Sequence, residues 1–111
     1  MINVLIKTRN DIIIYILANG HASRGSNYIN IVCSSFSFIL RTFLSVLDYE
    51  KEDFIVDNSL RGCLEFKASF RSLDKQSLFY YSKFLIQGVK DLCFEYPYDI
   101  KLILEETSGN K

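Results

Sequence analysis

Two residues in this chain could perform covalent chemistry together: His21 and Cys33, twelve positions apart in one loop-to-helix segment. His21 is the single histidine, and an imidazole titrates near neutral pH, so it can take a thiol proton or pair with a thiolate. Cys33 falls at the start of a helix expected over residues 31–49, three positions after Asn30, which stands where an N-cap would stand. Free N–H groups and the positive end of the helix dipole stabilise a thiolate there. The backbone N–H groups of Cys33 and Ser34 could hold the oxyanion of a tetrahedral intermediate. Nucleophile, base and oxyanion donors would then come from one junction. On the residues alone a second reading stays open, in which Cys33 is a small buried hydrophobe like Val32 and Phe36.

Other chemistry has weaker footing. Cys63 reads as part of a strand and Cys93 as late in a helix, so both are expected to be structural thiols. No C-x-x-C occurs among the three cysteines, and one histidine with scattered thiols makes a poor metal site, so no metal or cofactor is expected. G-x-S-x-G, a phosphate-binding glycine loop and H-E-x-x-H are all missing. Ser34, Ser35 and Ser37 fill helix positions, and Phe79-Tyr80-Tyr81 reads as core and interface.

The elements that must position the pair follow from hydrophobic spacing. Residues 2–8 alternate, with Ile2, Val4 and Ile6 on one side, as in a half-buried strand. Arg9-Asn10-Asp11 is turn-like, and the β-branched run Ile12 to Ala18 predicts a second strand, giving an antiparallel hairpin. Asn19 to Asn30 holds two glycines and several turn formers and predicts a mobile, functional loop. In the helix that follows, Val32, Phe36, Ile39, Leu40, Phe43, Leu44 and Leu47 form one apolar stripe. Phe54 to Asp57 and Leu60 to Ala68 predict a second hairpin around Asp57-Asn58-Ser59. A second helix is expected from Asp74, its cap, to Tyr96, where Pro97 stops continuation. A last strand covers 99–105. The order ββαββαβ implies the α+β class: one mostly antiparallel five-stranded sheet with two helices packed on it. A single domain would span residues 1–106, with a polar tail at 107–111.

Bulk composition narrows the function. The chain has 111 residues, 49% of them hydrophobic, enough for one packed core. Lys plus Arg equals Asp plus Glu at 13 each, which argues against a dedicated nucleic-acid binder. The N-terminus lacks a signal-peptide layout. The longest unbroken apolar stretch, Ile12 to Ala18, is far shorter than the ~20 residues of a membrane helix. A soluble cytoplasmic protein with reduced thiols and no membrane partner is therefore expected.

Against this background the segment Gly20-His21-Ala22, then Gly25, then Ile31-Val32-Cys33-Ser34-Ser35-x-Ser37 resembles the signature of the bacterial ribosomal-processing cysteine proteases, the Prp family. That signature is Gly-His-Ala, a glycine-rich loop, and Asp-Ile-Val-Cys-Ala-Ala-x-Ser. The spacing from histidine to cysteine matches, and the element order is similar to the family's fold. The resemblance implies His21 as base and Cys33 as nucleophile. It also implies removal of an N-terminal extension from a large-subunit ribosomal protein, with cleavage after an aromatic pair. A homodimer is implied, as is a histidine loop that orders around substrate. Gly20, Ala22, Gly25, Tyr28 and Ser37 would belong to that loop or line the substrate site. Two positions depart from the signature. Asn30 replaces the family's aspartate; an amide can still orient an imidazole or cap a helix, but it stabilises an imidazolium less. Tyr28 replaces a loop glycine and could stiffen the loop or fill substrate space. An alternative is a catalytically weak homologue that binds a ribosomal protein or an assembly intermediate.

Overall fold

The computed structural model describes residues 1–20, 27–60, 62–71 and 75–107. Its elements run β1 (Ile2–Arg9), β2 (Ile12–Asn19), α1 (Asn27–Tyr49), β3 (Phe54–Asp57), β4 (Cys63–Ala68), α2 (Gln76–Glu95) and β5 (Ile100–Glu106). The strands form one sheet in the order β3-β4-β2-β1-β5. Three neighbouring pairs are antiparallel, and β1 with β5 is parallel. The α+β class and the ββαββαβ order read from the sequence are those observed.

Alternation in the strands divides the sheet into two faces. Ile2, Val4, Ile6 and their partners Ile16 and Ala18 are buried on the side that carries the helices, as is Phe66. Leu5, Leu17 and Glu65 occupy the opposite side and are only half-buried. Asn10 and Asp11 join β1 to β2, both at positive φ (54° and 65°), the conformation of a two-residue turn whose twist suits a hairpin. The pairing then slips by one residue: Lys7 opposes Tyr15 but Thr8 opposes Ile13, leaving Ile14 as a bulge. The bulge turns Ile13 into the core, and the buried Ser82 on α2 accepts the Ile13 N–H at 2.9 Å.

Helix α1 lays Val32, Phe36, Leu40, Phe43 and Leu47 on the sheet as one buried stripe. By length and hydropathy alone its stretch Ile31–Tyr49 would also suit a membrane span, which a count of unbroken apolar residues overlooks. Here that stripe packs against Phe66 and the other core residues of the sheet. The helix ends with Lys51 at φ 61° and a Glu52 N–H to Leu47 carbonyl bond of 3.0 Å, the left-handed stop that usually carries glycine. Helix α2 crosses α1 at Gly88, where an added Cβ would collide with the Ile39 side chain.

Three boundaries differ from the sequence reading. Helix α1 starts at Asn27, not after Asn30. Tyr28 and Ile29 precede Val32 by four and three residues, so the helical spacing extends one further turn into the polar segment. Strand β4 starts at Cys63 rather than Leu60, because Gly62 at φ 76° and a Cys63 N–H to Leu60 carbonyl turn interrupt the extension. Helix α2 starts at Gln76 with Lys75 in the capping position, and Asp74 lies outside the described residues. Just past β5, Thr107 donates its N–H to the Thr8 carbonyl.

Candidate active site

The N-terminal half of α1 passes over the ends of β1, β2 and β4, and a cavity of about 200 Å³ lies beneath it. Cys33, Phe36, Ser37 and Leu40 supply one wall. Ile2, Ala18, Asn19 and Gly20 supply the second, and Gly62, Cys63 and Leu64 the third. Cys33 is half-buried, so its thiol borders both the core and this space. Among the described residues, none that lines the cavity is charged. The apolar lining that Ile2, Phe36, Leu40 and Leu64 provide suits an apolar side chain.

Backbone contacts shape the mouth of the cavity. Gly20 sits at φ 120°, and a Cβ there would strike the Met1 carbonyl oxygen. Only glycine fits that close approach at positive φ. The Gly20 N–H donates to the Gly62 carbonyl at 3.0 Å, tying the end of β2 to the start of β4. The residue after Gly20 in the chain is His21. The strand end leading to the sole histidine is therefore a wall of the cysteine's cavity.

The remaining site residues read from the sequence fall into three groups. Gly20, Cys33 and Ser37 come together at the cavity. Ser34 is exposed on α1 and does not line it. His21, Ala22 and Gly25 lie outside the described residues, and Tyr28 and Asn30 are described only as helical backbone. Two expectations are corrected by the helix start. Asn30 belongs to the first turn of α1 and is not its cap, and Cys33 lies in the second turn. The free N–H groups of a helix are those of its first four residues, here 27–30. The N–H groups of Cys33 and Ser34 are in register for the carbonyls of Ile29 and Asn30. The dipole, too, acts mainly within the first turn.

Gly62 and Leu64 are cavity residues that the sequence did not single out; the only local signal was a glycine after the Asp57-Asn58-Ser59 turn. Cys63 borders the same cavity. Strand alternation places its side chain with Glu65 and Lys67, on the face away from Leu64 and Phe66. Burial pushes the Cys93 thiol up, partly offset by a backbone hydrogen bond at Leu102, so Cys93 is a poor nucleophile at neutral pH. Among the described residues no group of three or more His, Cys, Asp or Glu side chains could hold a metal ion.

An α+β domain with a half-buried thiol at a cavity mouth, next to the strand leading into its one histidine, is the arrangement of a cysteine-dependent hydrolase. The model of the cysteine protease Prp family matches residues 1–101, and the chain belongs to that family. No curated protein matches the chain. Among solved structures, SMU.848 from Streptococcus mutans superposes with a TM-score of 0.80 at 17% identity, covering 96% of each chain. The essential ribosomal processing protease Prp from S. aureus, in complex with a substrate peptide, gives 0.79 at 17% identity, covering 95% of this chain and 100% of that one. The same enzyme with a covalently linked product peptide gives 0.78 at 18% identity with the same coverage. At these identities the superpositions establish the shared fold.

Proposed function

We propose that this chain is an endopeptidase that uses Cys33 as nucleophile and His21 as base. Its substrate would be the N-terminal extension of a large-subunit ribosomal protein, in the cytoplasm, and its working form a homodimer. The observation that carries this reading is the cavity shared by Cys33 and Gly20, the residue preceding His21. His21, next to Gly20 in the chain, would supply the counter-charge for a Cys33 thiolate as an imidazolium. The thiolate attacks the scissile carbonyl, His21 protonates the leaving amine, and water activated by His21 then releases the acyl group. A cavity of about 200 Å³ holds one aromatic ring, since benzene fills a cavity of ~150 Å³. This supports cleavage beside an aromatic side chain, with Ser37 at the floor and Gly20 and Gly25 allowing the chain to pass close to a peptide. Ala22 and Tyr28 would complete the substrate-facing surface, and Asn30 would orient the His21 ring.

The oxyanion role of Cys33 and Ser34 carries a condition. Their N–H groups become donors only when the first turn of α1 opens around substrate. The test is a peptide containing an aromatic pair before a small residue. Wild type should cleave it after the pair, and Cys33→Ser and His21→Ala should not. Unchanged cleavage by Cys33→Ser would overturn the assignment.

The placement of Cys33 in the second helical turn, with Asn30 and Tyr28 replacing the signature residues, favours one alternative: a module that binds a ribosomal protein without cutting it. A thiol-reactive probe separates the two. Labelling of Cys33 no faster than Cys63 at neutral pH would favour binding alone.

A further inference from the structure

Strand β5 is an edge strand: β1 pairs with one side of it, and among the described residues no strand pairs with the other. Its parallel ladder with β1 is flanked by the bonds Ile2 N–H to Asp99 and Thr107 N–H to Thr8. In a parallel pair, groups facing the neighbour recur at every second residue. Odd-numbered residues of β5 thus turn their backbone groups to β1, and even-numbered residues, Leu102 and Leu104 among them, turn theirs outward. Unpaired edges of this kind are usually blunted by proline, a bulge, brevity or charged side chains, and of these β5 has only charges, Lys101, Glu105 and Glu106. β5 is seven residues long, IKLILEE, with an unbroken register against β1.

The segment Lys101-Leu102-Ile103-Leu104-Glu105 is complementary to itself when reversed about Ile103. We propose that this edge binds the β5 of a second copy of the chain, antiparallel, with Ile103 on the two-fold axis. Leu102 then opposes Leu104 of the second copy, and these two residues exchange hydrogen bonds through their outward backbone groups. Lys101 opposes Glu105 of the second copy. Both of these have backbone groups that point inward to β1, so they form a non-hydrogen-bonded pair, the class in which side chains approach most closely. Opposite charges at such a pair stabilise the sheet, and like charges destabilise it. The two-fold axis repeats every contact. Exposure agrees: Ile103 is 49% and Leu104 43% exposed in the single chain. The other edge strand, β3, has only four residues, FIVD, and offers no such charge pairing. The result would be one continuous ten-stranded sheet with both Cys33 cavities open.

This inference assigns a surface to the proposed homodimer, so its test separates the two. Sedimentation should give wild type twice the chain mass. Lys101→Glu and Glu105→Lys should each fall to the single-chain mass with unchanged far-UV circular dichroism. Mixing those two variants should restore the doubled mass, and so should the double variant Lys101→Glu/Glu105→Lys. A single-chain mass for wild type would refute both the dimer and its surface. A wild-type dimer that Lys101→Glu leaves intact, or that the mixture fails to regain, would refute the β5 edge alone.

Discussion

Replacing Ser82 with alanine tests the way helix α2 is registered on the sheet. Ser82 is 1% exposed, and its Oγ accepts the Ile13 N–H at 2.9 Å. That N–H lies beside the bulge, where the slip between Lys7 and Thr8 interrupts the ladder. Alanine removes the acceptor without creating room for water, and a buried unsatisfied donor costs about 1–3 kcal/mol. The higher helix propensity of alanine returns about 0.5 kcal/mol. The net loss should be about 0.5–2.5 kcal/mol. For a domain of this length, each kcal/mol lowers Tm by roughly 4 °C. Urea unfolding followed by circular dichroism should show a lower midpoint with an unchanged m-value. Ser45→Ala, at an exposed position of α1, should stay within about 0.5 kcal/mol of wild type. The Ile13 amide should also lose hydrogen-exchange protection in the Ser82 variant. Because the bulge lies at the opposite end of β2 from Gly20, peptidase activity at 25 °C should persist. Stability equal to or above that of wild type would show that the Ile13 donor is satisfied by another group, and the argument would fail.

Further outcomes follow from the same contacts. Lys51→Gly relieves a left-handed residue worth about 1–2 kcal/mol against a backbone-entropy cost of about 0.5–1 kcal/mol; a rise in unfolding midpoint is expected. Gly20→Ala should lower stability by about 1 kcal/mol or more, because φ is 120° and Met1 stands in the way, and peptide cleavage should fall with it. Glu106→Ala removes the acceptor of the Thr8 hydroxyl and of the Asn10 N–H, and an earlier urea midpoint by about 1 kcal/mol is expected. Tyr15 donates to Glu65 at 2.6 Å, and that bond, with burial and the Glu65 charge, pushes its pKa up to about 12. Because the folded value lies above the ordinary 10, this contribution to stability is complete below pH 10 and disappears as pH rises through about 12. Ultraviolet titration should find a phenolate transition at about 12 that is missing in Tyr15→Phe and lowered in Glu65→Ala.

Much of the fold was legible because its patterns are local. Ile2, Val4 and Ile6 alternate cleanly, and the stripe from Val32 to Leu47 keeps helical spacing, so both elements and their buried faces could be read. The bulge at Ile14 could not, since Ile12 to Leu17 is apolar at nearly every position and alternation carries no information there. The parallel pairing of β1 with β5 depends on packing between the two ends of the chain, which no local window contains. At the site, Cys33 stood out by its place in the chain, whereas Gly62 and Leu64 reach the same cavity from residues some thirty positions away. The start of α1 was misplaced because Asn30 resembles a cap, while Tyr28 and Ile29 continue the helical spacing behind it.

The pairing of β1 with β5 also bears on how the chain folds as it is made. Thr8 and Glu106, joined by a hydrogen bond, are separated by 98 residues. During synthesis β1 and β2 emerge before the other strands and can close their hairpin, but β1 keeps an open flank until β5 is out. Contacts this distant slow folding, and an unpaired strand flank is prone to capture by other chains. Strand β5 covers β1 and, on the proposed pairing, presents the next free edge, so closing the sheet and readiness for a partner arrive in one step.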